Sequence, residues 1–183
     1  RARDIFYEYP AGHRTRMSAK LAFTGGLDAA ELRGTATIQA APYRETLPQM
    51  AQLLTAVGQT SSAAADMEPG LLDRMALNVA VGSPMPLRLD NSLGKVEVVP
   101  DIRIVGTVAA PALAGPVDII DGSRIYLQSR TYTLADSRME FSAEDGFIPR
   151  LQMVGTTRVG EYDVTLRVDG PADAMAMSLS SVP

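Results

Sequence analysis

Few side chains in this chain are equipped for acid–base, nucleophilic or metal chemistry. His13 is its only histidine and there is no cysteine, so thiol nucleophiles, disulfides and cysteine-ligated metals drop out together. A lone imidazole between Gly12 and Arg14, with no second histidine to share a zinc ion, is an ordinary loop residue. Carboxylates gather at Asp66, Glu68 and Asp73, at Glu140, Glu144 and Asp145, and at Glu161-Tyr162-Asp163. These settings are those of solvated loops and strand edges, where charge also deters sheet-to-sheet aggregation. There is no Gly-x-Ser-x-Gly elbow, phosphate loop or dinucleotide fingerprint, and the glycines sit in hairpin turns with no helix after them. The expectation is a protein that is not an enzyme, with no catalytic residue, no metal and no cofactor.

What remains is the apolar pattern that any other function must use. Met17, Ala19, Leu21 and Phe23 alternate with Ser18, Lys20 and Ala22, the period of two that puts one set of side chains on one face of a sheet. The pattern returns at Leu77-Val79-Val81, Leu87-Leu89, Val96-Val98, Ile102-Ile104, Val117-Ile119, Ile125-Leu127, Met139-Phe141, Leu151-Met153 and Val164-Leu166-Val168. Arg88, Glu97, Arg103, Asp118, Glu140, Gln152, Thr165 and Arg167 fall between them, as in an antiparallel sheet wet on one side. Asp121-Gly122, Asp145-Gly146 and Asp169-Gly170-Pro171 supply turn chemistry, so the chain is all-β and built of sequential hairpins.

The hairpin also repeats. Gly25, Leu32 and Gly34 recur at one common offset as Gly106, Leu113 and Gly115, and a fainter third copy begins at Leu166-Arg167-Val168-Asp169-Gly170. Repetition of one supersecondary unit marks architectures that grow by stacking. One segment interrupts it. Thr46 to Gly58 carries Leu47, Met50, Leu54 and Val57 at helical spacing, with Thr46 and Gln49 as a capping box and Gly58 as terminator. Gln59 to Asp66 is rich in Ser and Ala, so a short helix and a flexible tether are expected over about 46–70.

The chain has 183 residues, 46% hydrophobic, and a net charge of −4, enough for one domain with a sizeable apolar face. Its basic residues are scattered rather than gathered in a stripe, which argues against nucleic acid. It has no run long and apolar enough for a membrane helix and no signal-peptide start, and it reads as a segment of something longer. Aromatics are only 5%, with no tryptophan and nine methionines. Scarce bulky fillers and adaptable thioethers are compatible with an open binding groove, while alternating strands are equally those of a packed sandwich core.

From about Leu77 onward the chain resembles the C-terminal domain of the translocation and assembly module proteins, the TamB group of the AsmA-like superfamily. The resemblance rests on Pro86-Leu87-Arg88-Leu89-Asp90-Asn91-Ser92-Leu93-Gly94-Lys95-Val96, then Ile102 to Val108, Pro111 to Gly115, and Gly122-Ser123-Arg124-Ile125-Tyr126. It continues through Tyr132-Thr133-Leu134, Met139-Glu140-Phe141, Pro149-Arg150-Leu151, Thr156 to Gly160 and Tyr162 to Leu166, to the closing Ser180-Ser181-Val182-Pro183. The first 45 or so residues fit as a preceding repeat. Two places depart from the family pattern: Asp136-Ser137 stands where a glycine-containing turn is usual, and Val182 replaces a common acidic residue.

The resemblance implies a single β-taco domain over 1–183, one continuous sheet curled into a U with an apolar inner groove. It further implies a periplasmic segment of a protein anchored in the inner membrane by an N-terminal helix outside this chain. Its partners would be phospholipid acyl chains, an Omp85-family outer-membrane barrel and unfolded outer-membrane protein strands. The expected groove lining is Leu21, Phe23, Leu77, Val79, Leu87, Leu89, Val96, Val98, Ile102, Ile104, Val117, Ile119, Ile125, Leu127, Met139, Phe141, Leu151, Met153, Val164, Leu166 and Val168.

Overall fold

A computed structural model describes residues 2–8, 14–26, 29–40 and 74–183. The expected helix and tether, His13, and the Asp66, Glu68 and Asp73 cluster lie outside the described residues. The strands are β1 (Ala2–Glu8), β2 (Arg14–Gly26), β3 (Ala29–Ala40), β4 (Ala76–Gly82), β5 (Leu87–Asn91) and β6 (Gly94–Gly106). They continue with β7 (Pro111–Ile119), β8 (Arg124–Leu127), β9 (Arg130–Phe141), β10 (Arg150–Val159), β11 (Tyr162–Pro171) and β12 (Ala176–Val182). All belong to one sheet ordered β1-β2-β3-β4-β6-β7-β9-β10-β11-β12, with β5 beside β6, and β8 beside β6 and β9. The architecture is all-β and curled, as the sequence leads one to expect.

Pairing is antiparallel except at one seam, where β3 and β4 run parallel from Glu31↔Ala76 to Thr37↔Gly82. A parallel neighbour requires a crossover of a dozen residues or more, and the long segment between Ala40 and Ala76 is ample for one. The sheet is therefore mixed at this seam, a departure from the uniformly antiparallel expectation.

Two strands are split rather than new. On β6, Gly82 faces Asp101 and Leu87 faces Val98, so β5 resumes the line that β4 leaves. Pro84 and Pro86 lie in the gap, and a residue without an N–H cannot hold the ladder there. Ser83 Oγ lies within hydrogen-bond reach of the carbonyls of Ile38 (2.8 Å) and Met85 (2.6 Å), and donates its single proton to one or the other, pinning the excursion. β8 likewise resumes the line of β7 along β9 after the Asp121-Gly122 turn, where Gly122 has φ 87°.

The repeat survives to atomic detail. A side chain at Gly34 would be driven into the Lys20 carbonyl and onto the Leu21 Cα; one at Gly115 would meet the Asp101 carbonyl and the Ile102 Cα in the same relation. The third copy matches the second at its turn. Thr107 and Ala110 are joined by Ala110 N–H donating to Thr107 O (3.2 Å), and Pro171 and Ala174 by the equivalent bond (2.9 Å).

Burial concentrates at mid-strand. Val98, Val117, Ile119 and Leu134 form the central cluster, and Leu166 and Val168 join Tyr132 in the next. Leu134 keeps 1% of its surface exposed and Leu166 keeps 2%. Toward the strand ends cover falls: Val96, Ile102 and Ile104 on β6, and Met139 and Phe141 on β9, are half-buried. A sheet bent across its strands gives this profile, because residues at the bend are covered by both arms while those on the arms face the gap. Each side chain closed off at the bend stabilises by about 1.5–3 kcal/mol.

Candidate functional site

In an antiparallel ladder, residues directly opposite each other project from the same face. Register therefore assigns faces across the whole sheet. Phe23 faces Leu32 and Leu21 faces Gly34 across β2 and β3. Leu32 faces Leu77 and Gly34 faces Val79 at the parallel seam. From there Val79 faces Ile104, Val81 faces Ile102, Leu87 faces Val98 and Leu89 faces Val96. Val98 faces Ile119, Ile104 faces Leu113, Val117 faces Met139 and Gly115 faces Phe141. Ile125 faces Tyr132, Met139 faces Leu151, and Met153 faces Val168. Leu166 faces Gly155 on β10 and Leu179 on β12.

The apolar residues named from the sequence thus share one face. Along it Val79, Val98, Val117, Ile119, Leu166 and Val168 are buried; Leu21 and Phe23 are exposed, Phe23 by 62%. Leu77, Leu87, Leu89, Val96, Ile102, Ile104, Ile125, Leu127, Met139, Phe141, Leu151, Met153 and Val164 lie between these extremes. At the other end of the stack, Met177 and Leu179 on β12 lie open, Leu179 by 58%. The face is closed by its own side chains at mid-strand and lies open at Leu21 and Phe23 on β2 and at Met177 and Leu179 on β12.

The opposite face is polar and laced across strands. Arg88 pairs with Glu97 at 2.8 Å, Lys95 with Asp90 at 3.1 Å, Arg138 with Asp118 at 3.5 Å and Arg158 with Asp163 at 4.0 Å. Each joins directly opposed residues of neighbouring strands. Exposed pairs of this kind are worth only about 0.2–1 kcal/mol each, so they help to set register more than they stabilise. Across the seam, Glu31 accepts from Arg33 and from Asn78 Nδ2 (3.4 Å), while Arg103 donates to Asn78 Oδ1 at 2.6 Å. The Arg33 guanidinium holds the Glu31 carboxyl below the usual carboxylate range, and Glu31 raises Arg33 in turn. A cavity of about 460 Å³ opens beside the Asp121-Gly122 turn, with Arg88, Lys95, Glu97 and Arg124 in its wall. Among the described residues no three metal-ligating side chains converge.

Sequence periodicity missed the residues at the centre. Tyr132 and Leu134 belong to the apolar face although Met139 and Phe141, of opposite parity on the same strand, belong to it too. The cause is a β-bulge: Gln152 faces Arg138 and Val154 faces Ala135, so Asp136 and Ser137 together oppose Met153. Asp136 takes φ 48°, a left-handed conformation that aspartate tolerates better than most residues. Its N–H donates to Asp121 Oδ1 at 3.0 Å, and Ser137 Oγ accepts from Val154 N–H at 3.1 Å. The two residues that depart from the family's glycine-containing turn therefore build a bend of their own. The signal in the sequence was the change of parity between Tyr132-x-Leu134 and Met139-x-Phe141.

A family model described as the TamB C-terminal domain matches residues 2–183. The chain belongs to the TamB family. The match includes the first repeat as well as the stretch from Leu77. A search of curated proteins gives no match. TamB membership places the chain in the cell envelope, with a role in the translocation and assembly module or outer-membrane biogenesis. The family is one of transport and assembly modules, and its members work with an Omp85-type partner.

Proposed function

We propose that the apolar face of this TamB domain is a lipid path, carrying phospholipid acyl chains across the periplasm between the inner and outer membranes. In this arrangement residues 1–183 act as one β-taco unit of a longer protein held in the inner membrane by an N-terminal helix. The observation that carries the reading is a one-sided apolar face that continues from β2 to β12 and lies open at Leu21 and Phe23 on β2 and at Met177 and Leu179 on β12. Acyl chains would lie along the arms, over Leu77, Ile104, Phe141 and Leu151, above the self-packed bend. Covering roughly 300 Å² of apolar surface is worth about 7 kcal/mol, enough to hold a chain out of water. The contact is non-directional, so a chain can slide without breaking specific bonds.

Ile104 sits on an arm between Val79 and Leu113 and is half-buried. Ile104→Glu places a charge in the path, and native mass spectrometry of the purified domain should then lose the lipid adducts carried by the parent. Thermal melts of both proteins check that the sheet is intact. A parent that never carries lipid, with a folded variant identical to it in a vesicle transfer assay, defeats the proposal.

One feature favours a second role beside this one. β12 is the last strand in the described order, and its sequence from Ala176 to Val182 holds no charge and no proline. Edge strands are ordinarily blunted by such residues, and one without them suits pairing with an added strand. An outer-membrane barrel strand or the Omp85-type partner fits that edge. Photo-crosslinkers separate the roles: positions 104 and 119 should capture lipid, whereas position 179 should capture polypeptide.

A further inference from the structure

Across β4–β12 the register leaves a single charged side chain on the apolar face, and it is Arg130. Arg130 is directly opposite Leu127 at the end of a two-residue hairpin, Gln128-Ser129, whose φ values of 49° and 63° define the tight mirror-image turn. Leu127 packs against the Tyr132, Leu166 and Val168 cluster, so the guanidinium stem starts at the margin of the trough. Arg130 is exposed, and no described carboxylate forms an ion pair with it. Two neighbouring cations differ. Lys95 and Arg158 lie on the polar face and are paired with Asp90 and Asp163. Asn91, a polar residue of the apolar face on the same lip, is occupied: its Oδ1 accepts from Leu93 N–H (2.9 Å) and Gly94 N–H (3.2 Å).

The two lips of the trough are therefore unlike. On the far lip the same face ends in Ile104, Leu113, Phe141 and Leu151. On the near lip it ends in Arg130 and, on β11, Tyr162, which faces Val159 and is 52% exposed. A cation and a phenol beside a long apolar surface match a molecule with one anionic end and long hydrocarbon tails. Arginine presents a planar fork of donors that suits phosphate oxygens.

We infer that Arg130, with Tyr162 two strands along the same lip, holds the phosphate ester of a diacyl phospholipid at that lip of the trough, fixing which way the lipid lies across it. This inference rests on the acyl-path reading and adds a head-group contact to it. The phosphate stays at the water-exposed lip, the tails run inward over Leu127 and Val164, and the apolar far lip takes no charged group.

The test compares dioleoyl phosphatidylglycerol with dioleoylglycerol, which has the same chains and no phosphate, each delivered from cyclodextrin and counted by native mass spectrometry. The parent domain should prefer the phospholipid roughly tenfold, the low end for a charge-assisted contact in water. Arg130→Gln should abolish that preference while still taking up dioleoylglycerol, and Arg130→Lys should keep part of it. Preference unchanged in Arg130→Gln overturns the head-group contact and leaves the acyl path standing. Displacement of the phospholipid by an equal concentration of inorganic phosphate also overturns it, because the site would then be one for a free anion. Failure of the parent to bind either lipid removes the acyl path, and this inference with it.

Discussion

Gly115 offers the sharpest test of how the repeat is built. It lies on the apolar face between Ile102 and Phe141, with φ 117°. A Cβ there would be driven into the Asp101 carbonyl oxygen and would come within 3.3 Å of the Ile102 Cα, both backbone atoms that cannot swing aside. Gly115→Ala therefore combines an unfavourable backbone conformation with a clash, together about 3 kcal/mol. For a domain of this size that lowers the melting temperature by about 6–12 °C. Gly122 is the control: its φ is 87°, but nothing lies within 4 Å of a Cβ added there. Gly122→Ala meets the conformational penalty alone, about 1 kcal/mol and about 2–4 °C. Far-UV circular dichroism melts of both variants read the difference directly. Equal losses would refute the reasoning, since close approach to β6 would then play no part. Gly34→Ala, the same position one repeat earlier, should behave like Gly115→Ala.

Two further outcomes follow from the packing. Leu134→Ala, at the bend, should cost about 2–4 kcal/mol in urea unfolding, whereas Phe23→Ala on the open end should cost well under 1 kcal/mol. Asp136→Gly should leave stability unchanged or slightly raised, and Asp136→Val should lower it by about 2 kcal/mol, because a β-branched side chain resists the left-handed bulge conformation; thermal melts distinguish the pair.

The family was legible early because the repeated hairpin and its ordered phrases are local features. So was the face assignment of residues such as Leu87, Val98, Ile104 and Leu166, which needs only a period of two and an uninterrupted strand. The centre of the site was not legible. Counting back from Met139 in twos puts Arg130, Tyr132 and Leu134 on the wet side, and the bulge at Asp136-Ser137 reverses them. The change of parity between Tyr132-x-Leu134 and Met139-x-Phe141 is its one trace in the sequence, and where the reversal falls follows from pairing with β10 and from the Asp121 contact.

By itself, then, the order of residues determined the strands, most of their turns and the oily side of most of them, whereas Gly34 and Gly115, read from the sequence as turn glycines, lie inside β3 and β7 where two backbones nearly touch. Local sterics and hydrophobic alternation act within a few residues, so they are written locally. Tertiary structure alone decided the parallel seam between β3 and β4, the splitting of two long strands, the closed bend and the uncovered ends. It also decided that one arginine shares the apolar face. Each of these depends on which strand lies beside which and in what register, and that is settled by contacts between residues far apart in the chain.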